Sequence, residues 1–169
     1  MTKLAEWACL GILVADGEAH GWSIARRLRP DADIGRVWQV SRAVTYRSLD
    51  ALAATGWIEA IGDEVGDGPP RTILAATEPG RRAFDRWLDT PVGHLRDLRS
   101  ALLLKLVFAG RVDHPTGDLL RTQLAVIDAA VEGLAGGAEP DDLVVRWRIE
   151  SAHAARRFVA DQLRDAVDR

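Results

Sequence analysis

The sequence predicts a mainly α-helical protein with one small β-hairpin, built from an N-terminal domain over residues 1–90 and an all-helical domain over residues 91–169. Three observations indicate this fold class. Before residue 56, apolar residues recur three and four positions apart, which is the spacing of one helix face. Two segments of alternating polarity then enclose a run of glycine, aspartate and proline, as in a hairpin. Beyond residue 94, long segments with helical spacing occupy most of the chain.

The overall composition is typical of a globular protein with an apolar core, since 47% of the 169 residues are hydrophobic and 28% are charged. The single cysteine, Cys9, excludes a disulfide within one chain and is expected to be a small core residue. The apolar run at residues 7–15 is too short to span a bilayer, and we find no signal peptide. We therefore expect a cytoplasmic protein without a membrane partner.

No pattern in the sequence indicates a catalytic or metal-binding site. The four histidines are dispersed, and no pair of cysteines offers metal-ligand spacing. Neither of the glycine-rich phosphate-binding motifs of nucleotide enzymes is present. We expect a protein that is not an enzyme and that needs no cofactor.

The segment from Ser41 to Gly56 predicts the helix around which the chain is organised. Ser41 is a good N-cap, and Gly56 stands where a left-handed residue ends a helix. The inward stripe consists of Thr45, Leu49 and Leu52. The outward residues are Arg42, Tyr46, Arg47 and Asp50. This pattern has two interpretations: an ordinary surface helix with solvated arginines, or a helix whose N-terminal end enters the DNA major groove.

The flanking segments favour the second interpretation. The predicted elements are helices over Leu4–Asp16 and Trp22–Leu28, a tight turn over residues 18–24, strands over residues 57–61 and 71–76, and a turn over residues 62–70. Thr77 is the expected N-cap of a further helix, with Pro79 in its first turn. Three helices followed by a hairpin form a winged helix-turn-helix, in which the third helix reads the major groove beside the wing.

The charge distribution gives opposing indications. A net charge of −3 and a pI near 5.8 argue mildly against nucleic acid. Between residues 20 and 49, however, six arginines stand against two aspartates, so this segment carries a local charge of +4. A basic surface on an acidic protein is compatible with DNA binding that depends strongly on salt.

Several segments together resemble the PadR family of bacterial transcriptional regulators. They are His20–Ile24, Thr45–Leu49, Gly56–Ile58 and Thr77–Arg81, joined in the second half by residues 87–91 and 103–108. The family's usual tyrosine is Trp22 here, and Thr45 and Asp50 also depart from its pattern. The resemblance implies a dimeric regulator that binds double-stranded DNA, more specifically a repressor of a palindromic operator that a small molecule can release.

The predicted DNA-binding residues come from the central helix and the wing. They are Ser41, Arg42, Tyr46 and Arg47 at the major groove, Gln39 at a base or a phosphate near the start of the helix, and Arg71 and Thr72 at the backbone. Weaker candidates for phosphate contacts are Arg26, Arg27 and Arg36. The wing tip also carries Asp63, Glu64 and Asp67, whose carboxylates are repelled by phosphate, so the wing either contacts DNA mainly through Arg71 or stays away from it.

The second half predicts three helices that serve dimerisation. They cover Leu95–Ala109, Asp118–Leu134, whose apolar residues follow a coiled-coil spacing, and a last helix from Pro140 almost to Arg169. The last helix has two apolar stripes, one with Leu143, Trp147, Ala154 and Phe158, the other with Val145, Ile149, Ala152, Val159 and Leu163. Two stripes require cover on two sides, which a two-fold homodimer through these helices supplies. A monomeric bundle is the alternative.

Trp147 is the predicted contact for a flat aromatic effector, with plain interface packing as the competing interpretation. The sequence is also compatible with two other functions. The acidic wing favours a winged-helix module that binds a protein without sequence-specific DNA binding. A ligand-binding scaffold without DNA affinity is the other.

Overall fold

The computed structural model describes residues 3–64, 71–136 and 142–167. The N-terminal elements are α1 (Leu4–Asp16), β1 (Ala19–His20), α2 (Gly21–Arg27), α3 (Arg42–Ala54), β2 (Ile58–Glu64), β3 (Arg71–Ala76) and α4 (Glu78–Asp89). The C-terminal helices are α5 (Leu103–Arg111), α6 (Gly117–Ala135) and α7 (Leu143–Val167). A mainly helical chain with a small antiparallel sheet confirms the predicted fold class. The predicted start of the last helix at Pro140 lies outside the described residues.

The sheet has one strand more than the predicted hairpin. Its order is β1-β3-β2, and all pairs are antiparallel. The two residues of β1 belong to the segment that the sequence predicts as a turn, but Ala19 pairs with Leu74 and His20 with Ile73. A two-residue strand has no polarity pattern of its own, so its existence depends on the edge that β3 offers.

The first hydrophobic core lies between α1, α2, α3 and α4 and also includes residues of α5. Leu104 and Phe108 of α5 are fully buried in it beside Phe84. The Phe84 and Phe108 rings meet edge to face with centroids 5.6 Å apart, a favourable aromatic geometry. A Cβ at Gly11 would lie 2.6 Å from the Phe108 ring, so α1 approaches α5 as closely as a glycine allows. The first core therefore extends past residue 90, and the domain division at 90/91 stays a prediction.

An aromatic column joins the same helices. The Trp7 ring stacks on that of Trp87 at 5.1 Å and lies 5.3 Å from that of Trp57. Lys105 of α5 lies next to the Trp87 ring of this column. Its ammonium donates a hydrogen bond to the Trp87 carbonyl and lies 4.1 Å from the centroid of the Trp87 ring. Burial lowers the pKa of Lys105 to about 7, although Asp89 opposes this.

Four charged residues connect the N-terminal helices with the end of α5. Arg27 donates to both carboxylate oxygens of Asp33, at 3.1 and 2.9 Å, and also pairs with Asp16. Arg111 pairs with Asp33 and Asp16 as well. Burial alone raises the pKa of Asp33, but hydrogen bonds from Arg27, Ile34 and Arg111 outweigh it and hold the pKa at about 2.

Replacing Asp33 by asparagine is expected to lower the free energy of unfolding at pH 7 by about 1 kcal/mol, a small value because the side chain is partly solvated. The folded pKa of Asp33 lies below its ordinary value of 3.8. The carboxylate therefore stabilises the fold above pH 3.8, and this contribution disappears as the pH falls towards 2. Urea denaturation of both proteins at pH 7 and pH 2 measures it: the difference between them should vanish at the lower pH.

The second core lies between the start of the α5 segment, α6 and α7. The predicted helix over residues 95–109 begins as a 3₁₀ turn (Leu95–Asp97) and a π-helical turn (Leu98–Leu102) before it becomes α-helical. Leu98 and Leu102 face this second core, together with Leu120 and Ile127 of α6. The buried Gln123 amide accepts from the Val92 N–H at 2.7 Å and donates to the Val92 carbonyl at 2.9 Å, which ties the connecting segment to α6.

The two apolar stripes of α7 have different surroundings. In the stripe that faces α6, Ala152 and Val159 are buried. The other stripe is open in the single chain, where Leu143 is 77% and Trp147 72% exposed. Across the described ranges, no helix combines the length and the apolarity that crossing a bilayer requires.

Candidate nucleic-acid interface

The local sequence of α3 explains its ends and its orientation. The Ser41 hydroxyl accepts from the Val44 N–H at 3.4 Å, and Gly56 has a φ of +70°, the left-handed value that ends a helix. Thr45 is fully buried with Leu49 and Leu52, as predicted. Its hydroxyl donates to the Ser41 carbonyl at 3.1 Å, so a polar residue occupies this core position without an unsatisfied group.

The outer face of α3 presents Arg42, Tyr46 and Arg47 to solvent. Tyr46 is 39% exposed, and the Arg42 guanidinium lies 5.6 Å from its ring centroid. Within the described part of the chain, neither Arg42 nor Arg47 is paired with a carboxylate. Two cations without a protein partner are therefore available to an external anion.

A cleft of about 550 Å³ separates α3 from the wing and collects four of the predicted site residues. These four are Arg42, Tyr46, Arg71 and Thr72. Gln39, Ser41 and Arg47 are exposed but do not line the cleft. The cleft also contains His20, Gly21 and Trp22, which the sequence-based list of DNA contacts does not include.

The wing carboxylates have partners inside the protein. Asp63 accepts from the Thr72 hydroxyl at 2.9 Å, and Glu64 lies 2.7 Å from Nε2 of His20. The hydroxyl of Thr72 is thus engaged in the free protein. Asp67 lies outside the described residues.

The arginines around the cleft fall into two groups. Arg27 and Arg29 form ion pairs with neighbouring aspartates, so Arg27 serves the junction with α5. Arg26 and Arg71 have no carboxylate partner among the described residues and instead approach the ring of Trp22. The sequence signal for this grouping is weak, because aspartates at positions 16 and 33 can be matched to Arg27 only once the chain has folded.

Gly21 sets the position of Tyr46. A Cβ at Gly21 would lie 3.0 Å from the Tyr46 ring and 3.3 Å from Leu49. We expect Gly21→Ala to displace the tyrosine ring and to weaken DNA binding without loss of stability, since alanine favours the helical backbone of α2. Duplex binding and thermal melting measured together test this. Unchanged affinity would remove Gly21 from the site.

The comparison with family models decides the class of this fold. Residues 9–86, from α1 through the wing into α4, match the transcriptional regulator PadR-like family. These residues, slightly less than half of the chain, are similar to that family. That family consists of transcriptional regulators and not of enzymes, in agreement with the resemblance and with the non-enzymatic class predicted from the sequence.

Relatives and solved structures agree with this assignment. The probable transcriptional regulator Rv1176c of Mycobacterium tuberculosis is 25% identical over 92 residues, which are 54% of this chain and 48% of that protein. The chain thus matches about half the length of this curated relative. Bacillus subtilis PadR in complex with operator DNA has 20% identity and a TM-score of 0.51, with 96% of this chain and 99% of that chain covered. The structure of smu.1604c from Streptococcus mutans has 20% identity and a TM-score of 0.47, with 94% of this chain and 97% of that chain covered. At 20% identity, the match to Bacillus subtilis PadR shows the fold alone.

Proposed function

We propose that this PadR-like protein is a dimeric repressor that binds a palindromic DNA operator through α3 and the wing. The observation that carries the proposal is that Arg42 and Arg47 lie exposed on the outer face of α3, near Tyr46, with no carboxylate partner in the part of the chain that the structure describes. In the winged helix-turn-helix arrangement this face meets the major groove. Arginine is the side chain best suited to pair with a guanine edge there.

The other predicted residues have supporting roles. Ser41 and Gln39 lie at the N-terminal end of α3, where the helix dipole favours a phosphate. Arg71 reaches the DNA backbone from the wing. Thr72 also contacts the DNA backbone once its hydroxyl, which donates to Asp63 in the free protein, donates to a phosphate oxygen instead.

Protection of the DNA upstream of the protein's own gene, followed by a salt titration, tests the proposal. We expect a protected palindrome and a linear fall of log K with log salt concentration. Binding of a protein partner through an apolar surface, with no salt-dependent DNA affinity, would support the protein-interaction alternative instead. A scaffold that binds only a small molecule would show ligand-dependent tryptophan fluorescence and no protected site.

Dimerisation through the C-terminal helices is supported by the open stripe of α7. Leu143, Trp147 and Phe158 form an exposed apolar surface on one helix, which single-chain proteins seldom leave uncovered. A two-fold axis at this surface is self-complementary. It would place two α3 helices for successive major grooves about 34 Å apart.

We expect Trp147→Glu to convert the dimer to a monomer, because the partner would have to bury an unpaired carboxylate. Sedimentation equilibrium measures the change, and affinity for a full palindrome should fall while half-site affinity is retained. Arg164→Gln, which removes one charge at an exposed position of the same helix, is the control. A variant that remains dimeric would contradict the proposed interface.

Release by a flat aromatic effector is the remaining part of the proposal. A groove of about 1110 Å³ between the start of the α5 segment, α6 and α7 is lined by Trp147, Phe158 and Leu134 among others. Its size and apolar lining suit a small-molecule site. Fluorescence of 1-anilinonaphthalene-8-sulfonate should rise with the wild-type dimer and rise less with Trp147→Ala. An equal rise in fluorescence with both proteins would show that the dye binds outside this groove.

A further inference from the structure

Trp22 is a large aromatic residue that α2 leaves 46% exposed at the mouth of the cleft. The Arg26 guanidinium lies 5.2 Å from its ring centroid, and that of Arg71 lies 5.8 Å away. Both distances are within the range of a cation–π contact. One indole ring therefore links a cation of α2, one turn further along the helix, with the first residue of β3 in the wing.

The contact orients the two arginines without consuming their hydrogen-bond donors. A guanidinium that stacks on a ring keeps its five N–H donors in its own plane, where they can meet phosphate oxygens. A free arginine side chain also loses about 2 kcal/mol of conformational freedom when it is fixed. When Trp22 holds the arginine in the free protein, part of this conformational freedom is already lost before DNA binds.

The neighbouring charges point the same way. Arg27 and Arg29 form ion pairs with aspartates, whereas Arg26 forms none with any residue that the structure describes. In the wing, the carboxylates of Asp63 and Glu64 bond to Thr72 and His20 instead of Arg71. Arg26 and Arg71, which contact the same indole ring, thus have no carboxylate partner within the described residues.

We propose that Trp22 is a positioning residue that holds Arg26 and Arg71 as a two-cation clamp on the phosphodiester backbone of the DNA. The inference rests on the proposed DNA binding and adds a contact that the recognition helix does not make. The clamp is directed at phosphate and carries no base preference, because both cations lie outside α3.

Binding of a random-sequence duplex, titrated with salt, tests the clamp. Arg26→Gln and Arg71→Gln should each reduce the slope of log K against log salt by about 1. Trp22→Leu leaves the charge unchanged and should lower affinity about tenfold, because both arginines would then lose more of their conformational freedom when they bind. Trp22→Phe, which keeps an aromatic face, should recover most of the loss. Arg29→Gln is the matched control and should change the slope little, since Asp31 already neutralises it.

A double-mutant comparison separates positioning from loss of structure. In the Arg26→Gln/Arg71→Gln background, Trp22→Leu should have no further effect on affinity. The clamp is overturned if Trp22→Leu binds as the wild type does, or if it lowers affinity equally in both backgrounds. Absence of any salt-dependent DNA binding by the wild type would instead overturn the proposed function, and the clamp with it. Thermal melting shows that each variant is folded.

Discussion

Replacing Phe108 by alanine is expected to lower the free energy of unfolding by about 3–5 kcal/mol, the range for a large aromatic residue removed from a core. The ring is fully buried, meets Phe84 edge to face and lies against Gly11. The residue belongs to α5 and yet packs in the core formed by the N-terminal helices. Urea denaturation followed by circular dichroism measures the loss.

Ile61→Ala is a suitable control for this variant, because Ile61 is an apolar residue of β2 that lies exposed. Its effect should stay below about 0.5 kcal/mol, as is usual for surface substitutions. If Phe108→Ala cost less than 1 kcal/mol, the packing of α5 against α1 would not contribute to the fold as described. In that case the first domain would be stable without help from residues beyond the predicted boundary.

The second large effect concerns Arg42 and Arg47. We expect each single change to alanine to weaken operator binding by about 1–3 kcal/mol and to relax discrimination between sequences, because each arginine is placed to read a base edge. Stability should not change, since both side chains are exposed and have no carboxylate partner in the described residues. Gel-shift titrations at constant salt, with the operator and with a random duplex, measure both quantities.

Arg82→Ala provides the charge-matched control. Arg82 is an exposed arginine of α4 that pairs with Glu78, and its removal changes the net charge by the same amount. Operator affinity should therefore remain close to that of the wild type. An equal loss for the operator and the random duplex with Arg47→Ala would assign Arg47 to the phosphate backbone. Unchanged affinity would remove it from the interface.

The central helix illustrates what local sequence can predict. Ser41 as N-cap, Gly56 as terminator and the buried stripe from Thr45 to Leu52 all agree with the structure. Each of these features depends on residues within one or two turns, so a short window of sequence contains the necessary information. The same holds for Thr77, which caps α4 through a hydrogen bond from the Gly80 N–H at 3.2 Å.

Other features depend on distant residues and could not be predicted in this way. Lys105 reads as a polar interruption in an apolar helix, yet it is buried because the Trp87 carbonyl and ring receive its ammonium. The strand β1 exists only because β3 offers it an edge. Trp22 gains its two arginine neighbours from different elements, one on α2 and one on the wing.

The sequence by itself determined the order of the helices and of the two hairpin strands, the ends of α3 and the face that α3 turns outward, because periodicity and capping act over a few residues. Only the tertiary structure decided which arginines remain available for an external anion. Ion pairing requires a carboxylate within about 4 Å, and that proximity arises when segments far apart in the chain pack together. The availability of Arg26 and Arg71, and the engagement of Arg27 with Asp33 and Asp16, follow from that packing.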